Sequence, residues 1–334
     1  MKTGRFEKSA PRWKLWAKIA ISTLILGVLL LRIDIAEVFR SLRGLSLGAA
    51  ALAIFLSGVA IVVAAGKWHL LLPEFPLTQL LKITFVRQFY ALVLYGQVSG
   101  DLARVYLLGR EGVGRYAKVT ASVLFDRVTG FLGLMIVTAV ALVLSPETVS
   151  TPVEAVVVAL VIVTLACLAL LQHEPVLHRT SLFLQGSAAR FGLPDRAVDH
   201  VKRFLDALHT YARNPGVTVL SIAVGAGYQL LCVGLTAVLA AGLGIEVGFI
   251  DLCWVFGVIS VLLFLPISIG GLGVREGGFV GLLAGLGVAG DRAMALSLAC
   301  FGVEVVQGVV GFAVHLSTNS RSSATTPIDG SDGA

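Results

Sequence analysis

Charge is scarce in this chain. Only 14% of its 334 residues are Asp, Glu, Lys or Arg, against about 25% in ordinary soluble domains, so ionised groups cannot cover a globular surface. Cysteine is scarce as well. Cys167, Cys232, Cys253 and Cys300 all lie in apolar runs without a CxxC pair, which reads as small buried hydrophobes. The six histidines are scattered and form no HExxH, so no metal site is expected. There is no P-loop. With no nucleotide site and no catalytic set, no cofactor is expected, and any driving force is a gradient or there is none. The net charge of +6 does not point to nucleic acid, because Lys2, Arg5, Lys8, Arg12, Lys14 and Lys18 crowd one end of the chain.

Apolar length is abundant. Hydrophobic residues make up 57% of the chain, and the mean hydropathy is +0.90. The runs near 45–65, 128–144, 153–171, 215–241 and 292–316 reach or approach the ~20 residues that span a hydrocarbon core. An earlier run, 19–31, ends in Arg32-Ile33-Asp34 and not in a small-x-small cleavage site, so an uncleaved first helix is expected. The chain thus divides into a basic cytoplasmic N-tail at 1–14, one integral membrane domain at 15–316, and a tail at 317–334 expected to be disordered.

Basic residues decide the topology, because Lys and Arg concentrate on the cytoplasmic side. If every apolar run crossed, 80–99 and 249–268 included, eight helices would result. Arg104, Arg110, Arg115, Lys118 and the six bases of 172–214 would then lie outside. Suppose instead that 80–108 enters from the cytoplasm and returns, and 249–290 does the same from the outer side. Six helices then cross, near 15–31, 45–65, 119–144, 153–171, 215–241 and 292–316. Of the 26 Lys and Arg, 20 lie inside; Arg32, Arg40, Arg43, Arg275 and Arg292 lie outside, and Arg127 falls within a helix. The expected fold is an all-α polytopic membrane protein with about six full transmembrane helices, two opposed re-entrant hairpins and both termini in the cytoplasm.

The loop 172–214 is polar. Pro194-Asp195 reads as a helix start, Val201, Phe204, Leu205 and Leu208 recur at helical spacing, and Asn214-Pro215 ends the helix. A helix lying on the cytoplasmic interface and a connector packed on the bundle both fit this pattern.

Two stretches combine broken backbone with charge. They are Gly96-Gln97-Val98-Ser99-Gly100-Asp101-Leu102-Ala103-Arg104 and Pro266-Ile267-Ser268-Ile269-Gly270-Gly271-Leu272-Gly273-Val274-Arg275-Glu276. Inside a bilayer, irregular backbone is tolerated only where protein buries it or water reaches it. Each charge there costs ~2.5–3.5 kcal/mol on insertion scales. The two stretches enter from opposite faces, at corresponding positions of two halves, as an inverted repeat with a site near the midplane requires.

Gly96, Gly100, Pro266, Gly270, Gly271 and Gly273 are the backbone-breaking residues. Asp101 and Arg104 share a face if helix resumes after Gly100, with Ser99 or Asp101 as its cap, and free amides plus an arginine make an anion site. Asp126 and Arg127 point in different directions around their helix, so each needs its own partner: either one pairs with Arg104 and the other with Asp101, or both snorkel to headgroups as an interfacial pair. Arg275 and Glu276, followed by Gly277 and Gly278, are expected within flexible backbone. Glu304 lies inside the run Leu296–Leu316 with Gln307 on the same face, facing the bundle interior as a site carboxylate or a partner for Arg127 or Arg275. Lys67, His69, Lys82 and Arg87 flank the first hairpin, as a headgroup entrance or as a plain positive-inside belt.

At these residues the chain resembles the lysylphosphatidylglycerol synthase transmembrane-region family, also described as flippase-like domain proteins. The matching residues are Gly66-Lys67-Trp68, Gly100-Asp101 with Arg104, Asp126-Arg127 with Gly130, and Pro266 through Gly271-Leu272-Gly273-Val274-Arg275-Glu276. The resemblance covers roughly 15–316. It implies an integral membrane domain that translocates lipids, linked in some relatives to polyprenyl-linked sugar or hopanoid pathways. Residues 317–334 are too few for the soluble aminoacyl-transferase of the best-known relatives.

The sequence therefore points to translocation or transport of an anionic lipid, a phospholipid or a polyprenyl-phosphate-linked molecule, across the cytoplasmic membrane, and not to an enzyme. Arg104 and Arg275 would hold the phosphate, with Asp101, Asp126, Glu276 and Glu304 balancing them or carrying a proton. A membrane-embedded enzyme acting on a lipid phosphate and a non-transporting scaffold of a glycolipid pathway are the alternatives.

Overall fold

Apolar runs this long leave the backbone no partner but itself in a bilayer, and helix is what results. The computed structural model describes residues 35–94, 97–110, 115–145, 158–160, 162–166, 169, 195–264 and 271–323, and these contain helices and no strand. In chain order the helices are α1 (Ile35–Gly44), α2 (Leu47–Leu71), α3 (Leu77–Val93), α4 (Gln97–Gly109), α5 (Arg115–Leu144), α6 (Asp195–Ala212), α7 (Pro215–Gly242), α8 (Phe249–Phe264), α9 (Val274–Ala284) and α10 (Gly290–Ser323).

Four of the described helices are long and apolar enough to cross a membrane: Leu47–Leu71, Arg115–Leu144, Pro215–Gly242 and Gly290–Ser317. They coincide with four of the six expected crossings. The expected crossing at 15–31 lies outside the described residues. Of 153–171, residues 158–160 and 162–166 are described, and they are helical.

Where the two hairpins were expected, the described residues hold two pairs of helices whose members touch, α3 with α4 and α8 with α9. Arg87, six residues before the end of α3, donates to Asp101 of α4 at 2.9 Å. A Cβ on Gly100 would come within 2.8 Å of the Arg87 carbonyl oxygen, so glycine is what lets α4 lie against α3. In the second unit, a Cβ on Gly278 of α9 would meet Ile259 of α8 at 2.9 Å. Gly271 and Gly273 take φ of 81° and 83°, a left-handed conformation that glycine adopts without Cβ strain. Each arm is shorter than the ~20 residues of a span.

The helix boundaries correct three expectations. α4 begins at Gln97, so Gly100 is a packing residue inside a helix and not the break, and Ser99 and Asp101 are not caps. Arg275 and Glu276 lie in the first turn of α9, with Gly277 and Gly278 also helical; this backbone is ordered by its own ladder. α10 continues to Ser323, past the expected boundary at 317. Gly96, Pro266 and Gly270 lie outside the described residues.

The packing is by close backbone approach where glycine allows it. At Gly133 of α5 a Cβ would lie 2.5 Å from the Ala226 nitrogen of α7, and at Gly311 of α10 it would lie 2.2 Å from the Phe85 carbonyl of α3. One apolar core joins α8, α9 and the N-terminal half of α10 to the ends of α5 and α7, including Leu142, Leu239, Leu252, Phe279 and Leu296. A second gathers Trp68, Leu80, Ile83, Leu108 and Val123 around the first hairpin. α6 starts at Asp195 as expected and ends before Asn214, whose side chain caps α7. Its Leu208 and Ala212 are buried against Leu71, Ala121 and Phe125, while Val201 is exposed. The connector is thus packed on the bundle at its C-terminal half.

Candidate functional site

Each hairpin carries one charged cluster, and the two have opposite stoichiometry. In the first, Asp101 of α4 accepts from Arg87 Nε at 2.9 Å and from Arg127 Nε. Asp126 of α5 accepts from Lys67 Nζ at 3.0 Å and from Arg104 Nη1 at 3.2 Å. Both pairings expected for Asp126 and Arg127 are present. Each carboxylate is shared by two cations, so four cations face two carboxylates.

The surroundings hold those groups in place. Lys67 also donates to the Asp126 carbonyl at 2.7 Å, and a Cβ on Gly130 would crowd its Nζ at 3.1 Å. The Arg104 guanidinium lies 4.6 Å over Trp68, whose indole donates to Ser122 at 3.1 Å. Arg104 Nη2 reaches Thr84 at 3.4 Å, while its Nε is buried without a hydrogen-bond partner. Desolvation makes a lone charge here costly, and breaking such a pair typically costs about 3–5 kcal/mol, so these contacts lock the hairpin to α2 and α5.

In the second cluster one cation serves two carboxylates. Arg275 donates to Glu276 Oε1 through Nη2 at 3.1 Å and to Glu304 Oε2 through Nη1 at 3.0 Å. Its guanidinium lies 4.7 Å over Phe301. Glu276 Oε2 accepts from the Gly273 N–H at 2.6 Å, half of a capping box, and Ser297 reaches Oε1 at 3.5 Å. Glu276 thus caps the start of α9, orients Arg275 and is 2% exposed.

Glu304 departs from expectation. It sits fourteen residues into α10, about 21 Å along the axis and near the middle of the span, yet its side chain is 53% exposed. A carboxylate in contact with acyl chains at that depth is expensive. Arg275 holds the carboxylate on its inner side.

A polar line joins the clusters. Gln307, one turn beyond Glu304, accepts from Gln88 Nε2 at 3.1 Å. The Gln88 carbonyl oxygen accepts from Arg87 Nη1 at 3.3 Å, and Arg87 also reaches Gln97. From Arg275 and Glu304 the line passes to Gln307, three residues on along the same helix face, and from there by hydrogen bonds through Gln88 and Arg87 to Asp101. Arg104 and Arg275 themselves belong to different clusters, Arg104 held by Asp126 and Arg275 by Glu276 and Glu304.

Sequence reasoning reads Lys67 and Arg87 as either a headgroup entrance or a positive-inside belt, names Trp68 only within the family resemblance, and passes over Thr84 and Gln88. Lys67 carried a signal: it ends an apolar run and belongs to the Gly66-Lys67-Trp68 resemblance. Gly44-Leu45-Ser46-Leu47-Gly48 has the spacing of a nucleophile elbow, but Ser46 is the N-cap of α2 and accepts from the Ala49 N–H at 3.1 Å. Among the described residues no three His, Cys, Asp or Glu converge as metal ligands.

The profile of the family described as Lysylphosphatidylglycerol synthase TM region matches residues 15–311. A relative described as a UPF0104 membrane protein, from Methanothermobacter thermautotrophicus, is 27% identical over 309 residues, covering 84% of this chain and 87% of its own.

Proposed function

The chain belongs to the lysylphosphatidylglycerol synthase TM region family, and from that membership and the charged line through its bundle we propose that it translocates an anionic lipid between membrane leaflets. The observation that carries the reading is the polar connection from Arg275 and Glu304 to Arg87 and Asp101. It gives a headgroup a succession of polar partners where the hydrocarbon core offers none. The acyl chains stay in lipid beside the exposed apolar faces of α2, α5 and α10, including Phe55, Val143 and Phe312.

In this reading the hairpins are re-entrant. α3–α4 enters from the cytoplasm and α8–α9 from the outer side, with both termini cytoplasmic in the cell membrane. No bond in the lipid is made or broken. Arginine suits the task because its planar fork holds a phosphate in a defined orientation, and the carboxylates beside it keep the unloaded site from carrying bare charge.

The test is reconstitution of the purified chain in sealed vesicles with a headgroup-labelled anionic lipid. Equilibration of label between leaflets, above protein-free vesicles, supports translocation. Chemical conversion of the lipid in detergent would instead make the site an enzyme. Neither activity, with a glycolipid-pathway protein retained on the chain, would make it a scaffold.

A further inference from the structure

Arg275 holds two carboxylates that are not alike. Glu276 is fixed. Its Oε2 accepts from the Gly273 N–H at 2.6 Å, and its Oε1 accepts from Arg275 Nε at 3.3 Å and Nη2 at 3.1 Å, with Ser297 at 3.5 Å. Glu304 has one hydrogen-bond donor, Arg275 Nη1 at 3.0 Å, and it is the exposed member of the three. Resting on the translocation reading, we propose that Glu304 is the proton site that couples transport to a proton gradient. An arriving anionic headgroup displaces Glu304 from Arg275, and Glu304 takes up one proton as it lets go.

Three observations carry this. One cation already serves two carboxylates, so a phosphate joining them puts three anions on one guanidinium. In a medium that screens poorly, that repulsion is large, and one proton on a carboxylate relieves it. Second, the donors are divided unequally. Glu276 takes Nε and Nη2, and Glu304 alone takes Nη1. A phosphate gripped by the arginine fork needs Nη1, so it competes with Glu304 and leaves the capped Glu276 in place. Third, a displaced Glu304 has no other cation to turn to. Among the described residues the charged groups acting on it are Arg275 and Glu276 from α9. The other titratable neighbours are Cys300 on its own helix and Cys232 on α7, and from α3 the facing side chain is the neutral Gln88, through Gln307. An ionised carboxylate released near the middle of a span is expensive. The proton comes from buffer acid in water, forms one O–H bond on the Glu304 carboxylate, and leaves when the headgroup departs and Arg275 recaptures the carboxylate.

The test is binding of a short-chain phosphatidylglycerol to the full chain in detergent. Its phosphodiester keeps one negative charge from pH 6 to pH 8, so the probe adds no titration of its own. Calorimetry at pH 7 in two buffers of different ionisation enthalpy counts the protons. Between about 0.5 and 1 proton should be taken up per lipid bound, and affinity should be at least about fivefold higher at pH 6 than at pH 8. Glu304→Gln keeps the shape of the protonated side chain. It should bind the lipid without proton uptake and with less than about a twofold change over the same range, and a melting curve shows that it is folded. The proton count on the wild type needs no variant. No binding at either pH, no proton uptake whether or not sodium ions alter the affinity, or a pH dependence that survives in folded Glu304→Gln would overturn the proposal. Crossing of sealed vesicles is read separately. Linked proton uptake without crossing leaves the proton site standing and removes the proposed function; crossing without linked uptake removes this inference alone.

Discussion

Gln88 on α3 donates its side-chain amide to the Gln307 carbonyl oxygen on α10 at 3.1 Å, across 219 positions of sequence. It joins two charged clusters that otherwise belong to separate hairpins. Neither glutamine is charged, so the connection carries no net Coulomb term and rests on one hydrogen bond and on the close approach of α3 to α10 at Gly311.

That bond should be measurable by itself. Gln88→Ala and Gln307→Ala each remove one neutral partner, a loss of about 1 kcal/mol in stability. The double variant should show a coupling of at least about 0.5 kcal/mol, read by denaturation of the three variants in one detergent. Strict additivity would mean that the two amides do not meet. Translocation should fall in each variant although every charge is kept.

Arg275 and Glu304 should be unequal in stability. Arg275→Leu leaves Glu276 buried without its cation, a loss of about 3–5 kcal/mol. Glu304→Leu leaves Arg275 still held by Glu276, and the lost partner is half-exposed, so about 1 kcal/mol or less is expected. Glu304→Gln should keep expression and impair transport. Melting temperatures of the two leucine variants decide the order, and a less stable Glu304→Leu would reverse the roles assigned here.

Two glycines should respond oppositely to one added methyl group. Gly311→Ala drives a Cβ against the Phe85 backbone carbonyl, which cannot swing away, and should destabilise by about 1–3 kcal/mol. Gly130→Ala meets only the Lys67 ammonium at 3.1 Å, the tip of a flexible chain. It should fold normally and lose activity, because the displaced Nζ is the partner of Asp126. Expression and transport of the pair separate the two effects.

Much of this arrangement was legible in the sequence, and the reasons are physical. The spans at Leu47–Leu71, Arg115–Leu144, Pro215–Gly242 and Gly290–Ser317 were readable because hydropathy is what the bilayer selects. The pairing of Asp126 with Arg104 and Arg127 with Asp101 was readable because charges in a membrane need partners and few were on offer. The start of α4 at Gln97 was not readable, since Ser99, Gly100 and Asp101 all look like helix-start residues and the helix absorbs them. Lys67 and Arg87 fit a headgroup entrance and a positive-inside belt equally well until the fold turned both inward. The Gln88–Gln307 contact left no trace, because two neutral amides follow no spacing rule. The exposure of Glu304 depends on how the helices pack around it, which one chain of letters does not show.

The side of the membrane is open to direct chemistry. Arg203 on α6 is exposed and belongs to the polar segment expected in the cytoplasm, where 20 of the 26 Lys and Arg fall. With Cys167, Cys232, Cys253 and Cys300 replaced, Arg203→Cys should resist an impermeant thiol reagent in intact cells and react after lysis. Labelling in intact cells would place α6 outside.

The most direct test of the account is the rate at which a labelled anionic lipid crosses sealed vesicles containing the wild type, Arg104→Lys, Arg275→Lys or the double variant. Lysine keeps the charge but offers a point where arginine offers a fork. Each single change should slow crossing about tenfold or more, a loss of about 1.4 kcal/mol, while topology and expression stay unchanged. The double variant should lose less than the sum of the singles, because one headgroup meets both clusters. Wild-type crossing no faster than in protein-free vesicles, or full activity in Arg275→Lys, would contradict the account.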